Sequence, residues 1–503
     1  MKINQRKAGA ILSYILTITN AIVGIIYIPL LIYYLGKNEY GLYQLMGSIL
    51  IYLGLFDFAL SNTVTRYYSK YIALNDKKAQ ENLLALSTII YGLLTLLLIT
   101  VGIILYFFLD EIFANSLSHS ELNSAKKMYI VILLSVSITI ITTVFNSIIT
   151  ANEKFVFLRM LSIVDTIMRP IVVLAVFQIH ARALTLVIVQ ALINIINISI
   201  KIYYSINKIR VKIKLHKFDV PLLKEMLSYS FFIFLTLVMD QIFWRADQVI
   251  LGIVDGTNSV AIYSIGTQII MYYMTLSTAI SGVFLPNITK KVTKNATNNE
   301  LSEVFIRIGR LQYIILGAVM SGFILYGKEF LNVWIGEGFY QSYIITLIIM
   351  LPFTIDLIQN IGLSILQAKN MYAFRAILFS IMAFINIIIT IPLAINFGGI
   401  GAAVSTGIAY LIGNGFIMNT YYYKKVGLDI FKFWKEIFKL SIPIFIAAIL
   451  GLFINQIEIS LEIVSLLAKL SIFVIVYSII IWLFGMNKYE KNLIKTPLKS
   501  VIK

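Results

Sequence analysis

From Ile11 to Leu35 the chain runs for 25 residues without one acidic or basic side chain. Wound as an α-helix, such a run is roughly 37 Å long, enough to cross the ~30 Å hydrocarbon core of a bilayer. Comparable runs recur along the whole chain, separated by short clusters of charge. Taken from cluster to cluster, they fall at roughly 10–35, 42–69, 83–109, 127–150, 158–178, 183–206, 226–252, 259–286, 304–327, 342–366, 374–396, 400–423, 439–456 and 463–484. None alternates polar with apolar residues over ten positions, so a membrane barrel is excluded. The pattern predicts an all-α integral membrane protein of about fourteen transmembrane helices, with no soluble domain of any size.

Composition excludes the soluble alternative. Only 13% of the 503 residues are charged, about half the share in a soluble protein. Without cysteine, the chain has no disulfide, thiolate metal site or cysteine nucleophile. Lys2, Arg6 and Lys7 precede the first apolar run as in a secretion signal. The small residues Ala8-Gly9-Ala10, however, lie before that run, where a cleavage site would follow it. The run is therefore expected to stay as the first helix.

Charge sets the orientation. With the N-terminus inside, the inner segments gather most of the 41 Lys and Arg residues. The largest groups lie between Lys201 and Lys224, between Lys290 and Arg310, between Lys424 and Lys439, and from Lys488 onward. Outer loops hold only Lys37, Lys126, Lys127, Arg182 and Lys328. The bias alternates from loop to loop, as the positive-inside rule requires, and implies an even number of helices with both termini cytoplasmic. The net charge of +17 is thus topological and does not point to nucleic acid.

The chain also repeats itself. Gly36, Asn38 and Tyr43 match Gly256, Asn258 and Tyr263 at an offset of 220, and Ala151, Phe155 and Phe157 match Ala368, Tyr372 and Phe374 at an offset of 217. A six-helix unit used twice enters the membrane from the same side each time. Its copies are therefore expected to form two lobes in a parallel, pseudo-twofold repeat around a cavity. The expected organisation is an N-terminal lobe at 1–206, a basic cytoplasmic linker at 207–225, a second lobe at 226–424, and a segment at 425–503 holding a C-terminal helix pair and a basic tail.

The stretch IPLLIYYLGKNEYGLYQLMGSILIYLGLFDFALSNTVTRYYSKY from Ile28 resembles the opening of polysaccharide-exporting Wzx-type flippases. DQVILGIVDGTNSVAIYS from Asp247, LQAKNMYAF from Leu366 and GGIGAAVSTGIAY from Gly398 are similar to further stretches of that family. The motifs are specific to the superfamily of multidrug, oligosaccharide-lipid and polysaccharide exporters, and weaker for choosing among its branches. The resemblance implies a bacterial cytoplasmic membrane protein that moves an undecaprenyl-diphosphate-linked oligosaccharide from the inner to the outer leaflet. A glycan polymerase or other assembly proteins are the partners it suggests. A drug–cation antiporter and a lipid II flippase share the implied fold, and a membrane enzyme of glycan assembly is the alternative of another class.

Ionised groups in mid-membrane are expensive, at least ~2.5–3.5 kcal/mol each on insertion scales, so those present need a reason. They are Asp57 and Arg66 in the second predicted helix, Asp165 and Arg169 in the fifth, Asp240, Arg245 and Asp247 in the seventh, and Asp356 in the tenth. Lys469 is a shallower case near the outer part of the last. Asp165 and Arg169 are four apart and able to pair, either as structural neutralisation or as part of a site. Asp240, Trp244 and Asp247 share a face, and two aspartates on one wet face suit proton or sodium coupling unless Arg245 and water neutralise them throughout. Arg66, near the inner mouth, either grips phosphate bidentately or snorkels to headgroups. Arg66, Arg169 and Arg245 are the candidate substrate residues; Asp57, Asp165, Asp240, Asp247 and Asp356 are the candidates for ion coupling or the cavity wall.

Catalytic patterns are lacking. His119, His180 and His216, the only histidines, are scattered in predicted loops. No phosphate loop of the Walker type occurs, and the longest outer connection, about 110–126, is too short for a catalytic domain. Neither an enzyme, a cofactor nor a metal site is expected.

Overall fold

The computed structural model is all-α, with no strand among the described residues. It describes residues 4–456 and 459–501, with side chains except at 52–59, 229, 232, 233, 235, 236, 240, 283, 285, 287, 494 and 496–501. The first half holds α1 (Gln5–Ala73), α2 (Lys77–Phe113), α3 (His119–Ala151), α4 (Phe155–Phe177), α5 (Ala183–Tyr203) and α6 (Val220–Val254). The second holds α7 (Gly256–Thr293), α8 (Asn298–Ile335), α9 (Tyr340–Ile358), α10 (Ile361–Ala368), α11 (Tyr372–Tyr410), the single turn α12 (Asn419–Tyr421), α13 (Ile430–Ile454), α14 (Glu462–Ile480) and α15 (Lys488–Val501). Wider π-helical turns occupy Tyr204–Ile209, Leu411–Met418, Tyr422–Val426 and Ile481–Gly485.

Among the described residues, ten segments are long and apolar enough to cross a membrane. Large apolar side chains point outward along them: Ile11, Leu93, Phe107, Phe384, Phe416 and Phe445 are all exposed. Tyr91, Tyr273, Ser277, Gln312 and Asn386 lie inside. This inversion of the soluble pattern identifies the solvent as lipid.

The sequence predicts a loop at 36–41 and another at 397–399; the structure has corners there. Gly36, at φ 73°, breaks α1 into two helical arms, and Gly398, at φ 57°, does the same to α11. A glycine reaches these conformations without the Cβ clash other residues meet. Arg310, grouped by sequence with a cytoplasmic loop, lies well inside α8 because that helix begins at Asn298, capped by Thr297 and Glu300.

The chain divides into two compact units, Met1–Ala261 and Ile262–Lys503. In the first, α1 packs against α3, α4 and α6. Its second arm meets α6 antiparallel: Leu45 fills the space over Gly252, and Ser48 hydrogen bonds Gln248. Farther along, Thr63 pairs with Ser230 at 2.8 Å. The corner at Gly256 is tied to this seam. Thr257 donates to Glu121 at 2.8 Å, the residue that also caps α3 through Ser118, while the Thr257 carbonyl rests on Gly41. The basic connection before α6 is pinned as well. Asn82 accepts the N–H groups of His216 and Lys217, each at 2.9 Å, and His216 Nε2 lies 2.7 Å from Glu81.

The second unit has a parallel seam between α7 and α9. Ser342 donates to the Ile262 carbonyl at 2.7 Å, Tyr273 pairs with Thr354 at 2.8 Å, and Ser277 donates to the Leu357 carbonyl at 2.7 Å. Hydroxyl groups suit such seams because two apolar helices in lipid gain little from hydrophobicity alone.

Local geometry recurs at the spacing of the sequence repeat. Gly36 and Gly256 are both left-handed, as are Asn75 and Asn295, Glu153 and Asn370, and Arg210 and Gly427. Phe157 stacks on Tyr204 at 3.8 Å, and Phe374 stacks on Tyr421 at 3.9 Å.

A Cβ at Gly41 would fall on the Thr257 carbonyl, whereas one at Gly47 would meet nothing. Gly41→Ala is therefore expected to destabilise the protein by about 1–3 kcal/mol. Gly47→Ala should be neutral or stabilising by up to ~1 kcal/mol. Thermal unfolding in detergent would compare them; equal effects would refute the close packing of Gly41.

Candidate functional site

The first unit carries an ion pair facing a neighbouring helix. On α4, the Arg169 Nη2 donates to both oxygens of Asp165 at 3.0 and 2.9 Å. From α5, Asn197 Nδ2 donates to the same carboxylate at 2.7 Å. The carboxylate is thus held from two helices, and each side chain of the ion pair keeps about a quarter of its surface exposed. Pro170, the next residue, offers no N–H to the Thr166 carbonyl one turn earlier. The Thr166 hydroxyl reaches across to Asn20 on α1 at 2.8 Å. Also on α1, the Tyr27 hydroxyl is buried with no hydrogen-bond partner and lies within electrostatic reach of Arg169. A charge pair within electrostatic reach of an unpaired donor is an arrangement able to receive an anion or a sugar hydroxyl once that donor is uncovered.

A second group lies on α6. Arg245 Nη1 donates to Gln248 Oε1 at 3.2 Å, the oxygen that Ser48 also approaches. Asp247, adjacent in sequence, is only 2% exposed. Arg66 is exposed on α1, its guanidinium 5.9 Å from the ring centre of the buried Tyr67. The side chains of Asp57 and Asp240 lie outside the described residues.

In the second unit, Asp356 near the end of α9 is met by Arg375 of α11 at 3.4 Å, and that guanidinium also lies 4.5 Å from the Phe379 ring centre. Pro352, one turn before Asp356, leaves the Ile348 carbonyl without its helical N–H; Gly407 packs closely over that oxygen. Asn386 stands at the position that the 217-residue offset relates to Arg169. It carries no charge and accepts from Ser405 at 2.6 Å. Lys469 of α14 donates to both oxygens of Glu329 on α8 at 3.1 and 2.9 Å.

The structure brings Asp165 and Arg169 together, as their four-residue spacing predicts. It gives Asp356 a cationic partner, Arg375, which the sequence placed only at the edge of a loop. Asn197, Gln248 and Glu329 were also missed, although an asparagine or glutamine inside an apolar run is itself a signal. Among the described residues, no group of three or more His, Asp and Glu could hold a metal ion.

Paired intramembrane charges in a stack of long apolar helices define a multi-pass α-helical membrane protein. The chain belongs to the polysaccharide biosynthesis protein family, which it matches over residues 7–292. It is 22% identical over 394 residues to a Shigella flexneri protein named "Putative O-antigen transporter", covering 75% of this chain and 88% of that one. Its fold is similar to that of a lipid II flippase, MurJ, in an inward closed conformation, with a TM-score of 0.74 and 19% identity. That likeness covers 94% of this chain and 98% of the other. A multidrug resistance transporter of the MATE family in an inward-facing conformation has a TM-score of 0.63 and 12% identity, over 81% and 96% of the two chains.

Removing one member of a buried ion pair leaves the other charge uncompensated, at a cost of roughly 3–5 kcal/mol when burial is complete. Arg169→Ala should fall at or below the lower end of that range, because the pair is partly exposed. The double variant Asp165→Asn/Arg169→Ala should recover part of the loss. A double-mutant cycle on thermal unfolding measures the coupling; strict additivity would show that the two do not interact.

Proposed function

We propose that this protein is a flippase of the bacterial cytoplasmic membrane, moving a lipid-linked oligosaccharide from the inner to the outer leaflet for polysaccharide assembly. Membership of the polysaccharide biosynthesis protein family is the observation that carries this reading. The likeness to a protein named "Putative O-antigen transporter" supports it, and the fold is one that a lipid II flippase also has. The charge chemistry fits: a diphosphate wants guanidinium forks, and Arg169 lies within electrostatic reach of a buried, unpaired tyrosine hydroxyl. The fold likeness to a multidrug transporter, at 12% identity, gives no argument for a drug substrate.

We infer fourteen crossings. The corners at Gly36 and Gly398 each split one long helix into two, and α6 and α7 add the pair absent from the ten segments. Two six-helix lobes related by an axis along the membrane normal account for the left-handed residues and stacked rings that recur 217 or 220 positions apart. Rocking of such lobes would carry the head group across. If residues 10–206 superpose on 226–423 only in inverted order, this repeat is wrong.

In the proposed mechanism Arg66, Arg169 and Arg245 line the path and each carries the diphosphate over part of its passage, since the antiparallel seam sets Arg66 about 25 Å from Arg245 along α6. Alanine at a functional one should abolish surface glycan while the protein stays in the membrane at normal levels, and lysine should rescue only partly. Normal export by all three alanine variants would remove the clamp.

Asp240 and Asp247 are the proposed coupling residues. Asp240→Asn should weaken the response to an imposed proton or sodium gradient more than it weakens substrate binding. A tenfold change in the inward–outward equilibrium corresponds to about 1.4 kcal/mol. Reconstituted vesicles with imposed gradients provide the measurement. An asparagine variant with unchanged gradient dependence would leave membrane voltage acting on the arginines as the drive.

A further inference from the structure

Beyond α14 the chain makes a sharp restart. The π-helical turn Ile481–Gly485 ends in an extended Met486, and α15 begins behind a reciprocal cap. The Asn487 side chain accepts the Glu490 N–H at 2.9 Å, and the Glu490 carboxylate accepts the Asn487 N–H at 2.8 Å. Glu490 is 1% exposed, although it sits in a strongly basic tail. Its partner is Arg310, 5% exposed on α8. Arg310 donates from Nε and Nη2 to the two Glu490 oxygens at 2.7 and 3.0 Å. It donates further to the Gly485 carbonyl at 2.9 Å and, on α13, to the Glu436 carboxylate and carbonyl at 3.1 and 3.2 Å. All five N–H groups of the guanidinium are engaged. A buried pair this fully satisfied fixes the first turn of α15 in place against α8 and α13.

That latch decides which face of α15 looks outward. Lys488, Lys491 and Lys495 are three and four residues apart and share one side of the helix, while Glu490 points to Arg310 from another. Lys488 and Lys495 are exposed and Lys491 is half-buried. The depth of the basic side is marked by Trp482: the Lys491 and Lys495 ammonium groups lie 5.9 and 5.6 Å from its ring centre. Tryptophan settles at headgroup level in a membrane, and the next two residues, Leu483 and Phe484, are exposed apolar side chains suited to the hydrocarbon edge. Tyr489 and Leu493 add exposed apolar surface on α15 itself.

We propose that α15 is an interfacial helix that binds acidic phospholipid headgroups of the cytoplasmic leaflet through Lys488, Lys491 and Lys495, held at that depth by the buried Glu490–Arg310 pair. The charge complementarity is direct, since each lysine near an anionic leaflet adds favourable energy that falls within a Debye length. The helix is short and depends on the rest of the protein for its attachment, so it reports on lipid only when docked. The proposal is independent of which lipid-linked substrate the protein moves.

Because the chain has no cysteine, Asn492→Cys gives one labelling site on the exposed side of α15. The full-length protein, labelled there with a fluorophore, is placed in phosphatidylcholine nanodiscs containing traces of spin-labelled phosphatidylglycerol or spin-labelled phosphatidylcholine. Quenching should favour phosphatidylglycerol by on the order of tenfold at low salt and lose that preference as salt rises. In Lys488→Gln/Lys491→Gln/Lys495→Gln the preference should vanish while thermal unfolding stays unchanged. Equal quenching by the two lipids, quenching by neither, or a preference that survives the triple substitution would each overturn the proposal.

Discussion

A hydrocarbon interior offers no water to complete a hydrogen bond, and that single condition organises the polar side chains of this chain. Asp165 is met by Arg169 and Asn197, Asp356 by Arg375, and Lys469 by Glu329. The same condition governs the backbone. Where the π-helical turn at Leu411–Met418 alters the regular ladder, the Asn419 side chain donates to the carbonyls of Asn414 and Gly415, both at 2.8 Å. Its own oxygen is then covered by Gln359 at 3.0 Å and by the Trp434 indole at 3.1 Å. Helical irregularity survives in lipid where side chains are available to close it.

The two halves apply this rule differently. The first has an ion pair at Asp165 and Arg169 within electrostatic reach of an unpaired, buried hydroxyl; at the positions related by 217 residues the second has Met382 and the neutral Asn386, closed by Ser405. A charge pair with spare donor capacity can exchange partners as a substrate passes, whereas a closed amide–hydroxyl cluster holds helices together. Corners and stacked rings thus recur at the repeat spacing, while the polar residues at these two positions differ. Fold and function in such a protein are written in different residues.

That difference explains how much could be read from the chain alone. Apolar runs, alternating positive charge and the 217- and 220-residue offsets are local or periodic signals, and they convey the helical membrane class. The family resemblance rests on the motif stretches from Ile28, Asp247, Leu366 and Gly398, and the pairing of Asp165 with Arg169 on their four-residue spacing. Corners were less legible: the segment after Gly36 reads as a loop because a left-handed glycine and a flexible connection look alike in sequence. Contacts between distant helices were not legible. Arg310 falls inside the span expected at 304–327 yet counts only as the end of a basic cluster, because its partner Glu490 lies 180 positions away. Arg375 likewise finds Asp356 across two helix ends, and nothing in the spacing reveals it.

The corners at Gly36, Gly256 and Gly398 have a consequence for how the chain can be cut or extended. A protease needs several residues of extended, accessible backbone, and an inserted peptide needs a tip where few hydrogen bonds are lost. A one-residue corner provides neither, since helix begins again almost at once on either side. The longer connections are also poor targets where their backbone is bonded, as it is at His216 and Lys217 through Asn82. Such corners offer little backbone to an enzyme, in contrast to the rest of the exposed, non-helical stretch at 210–219.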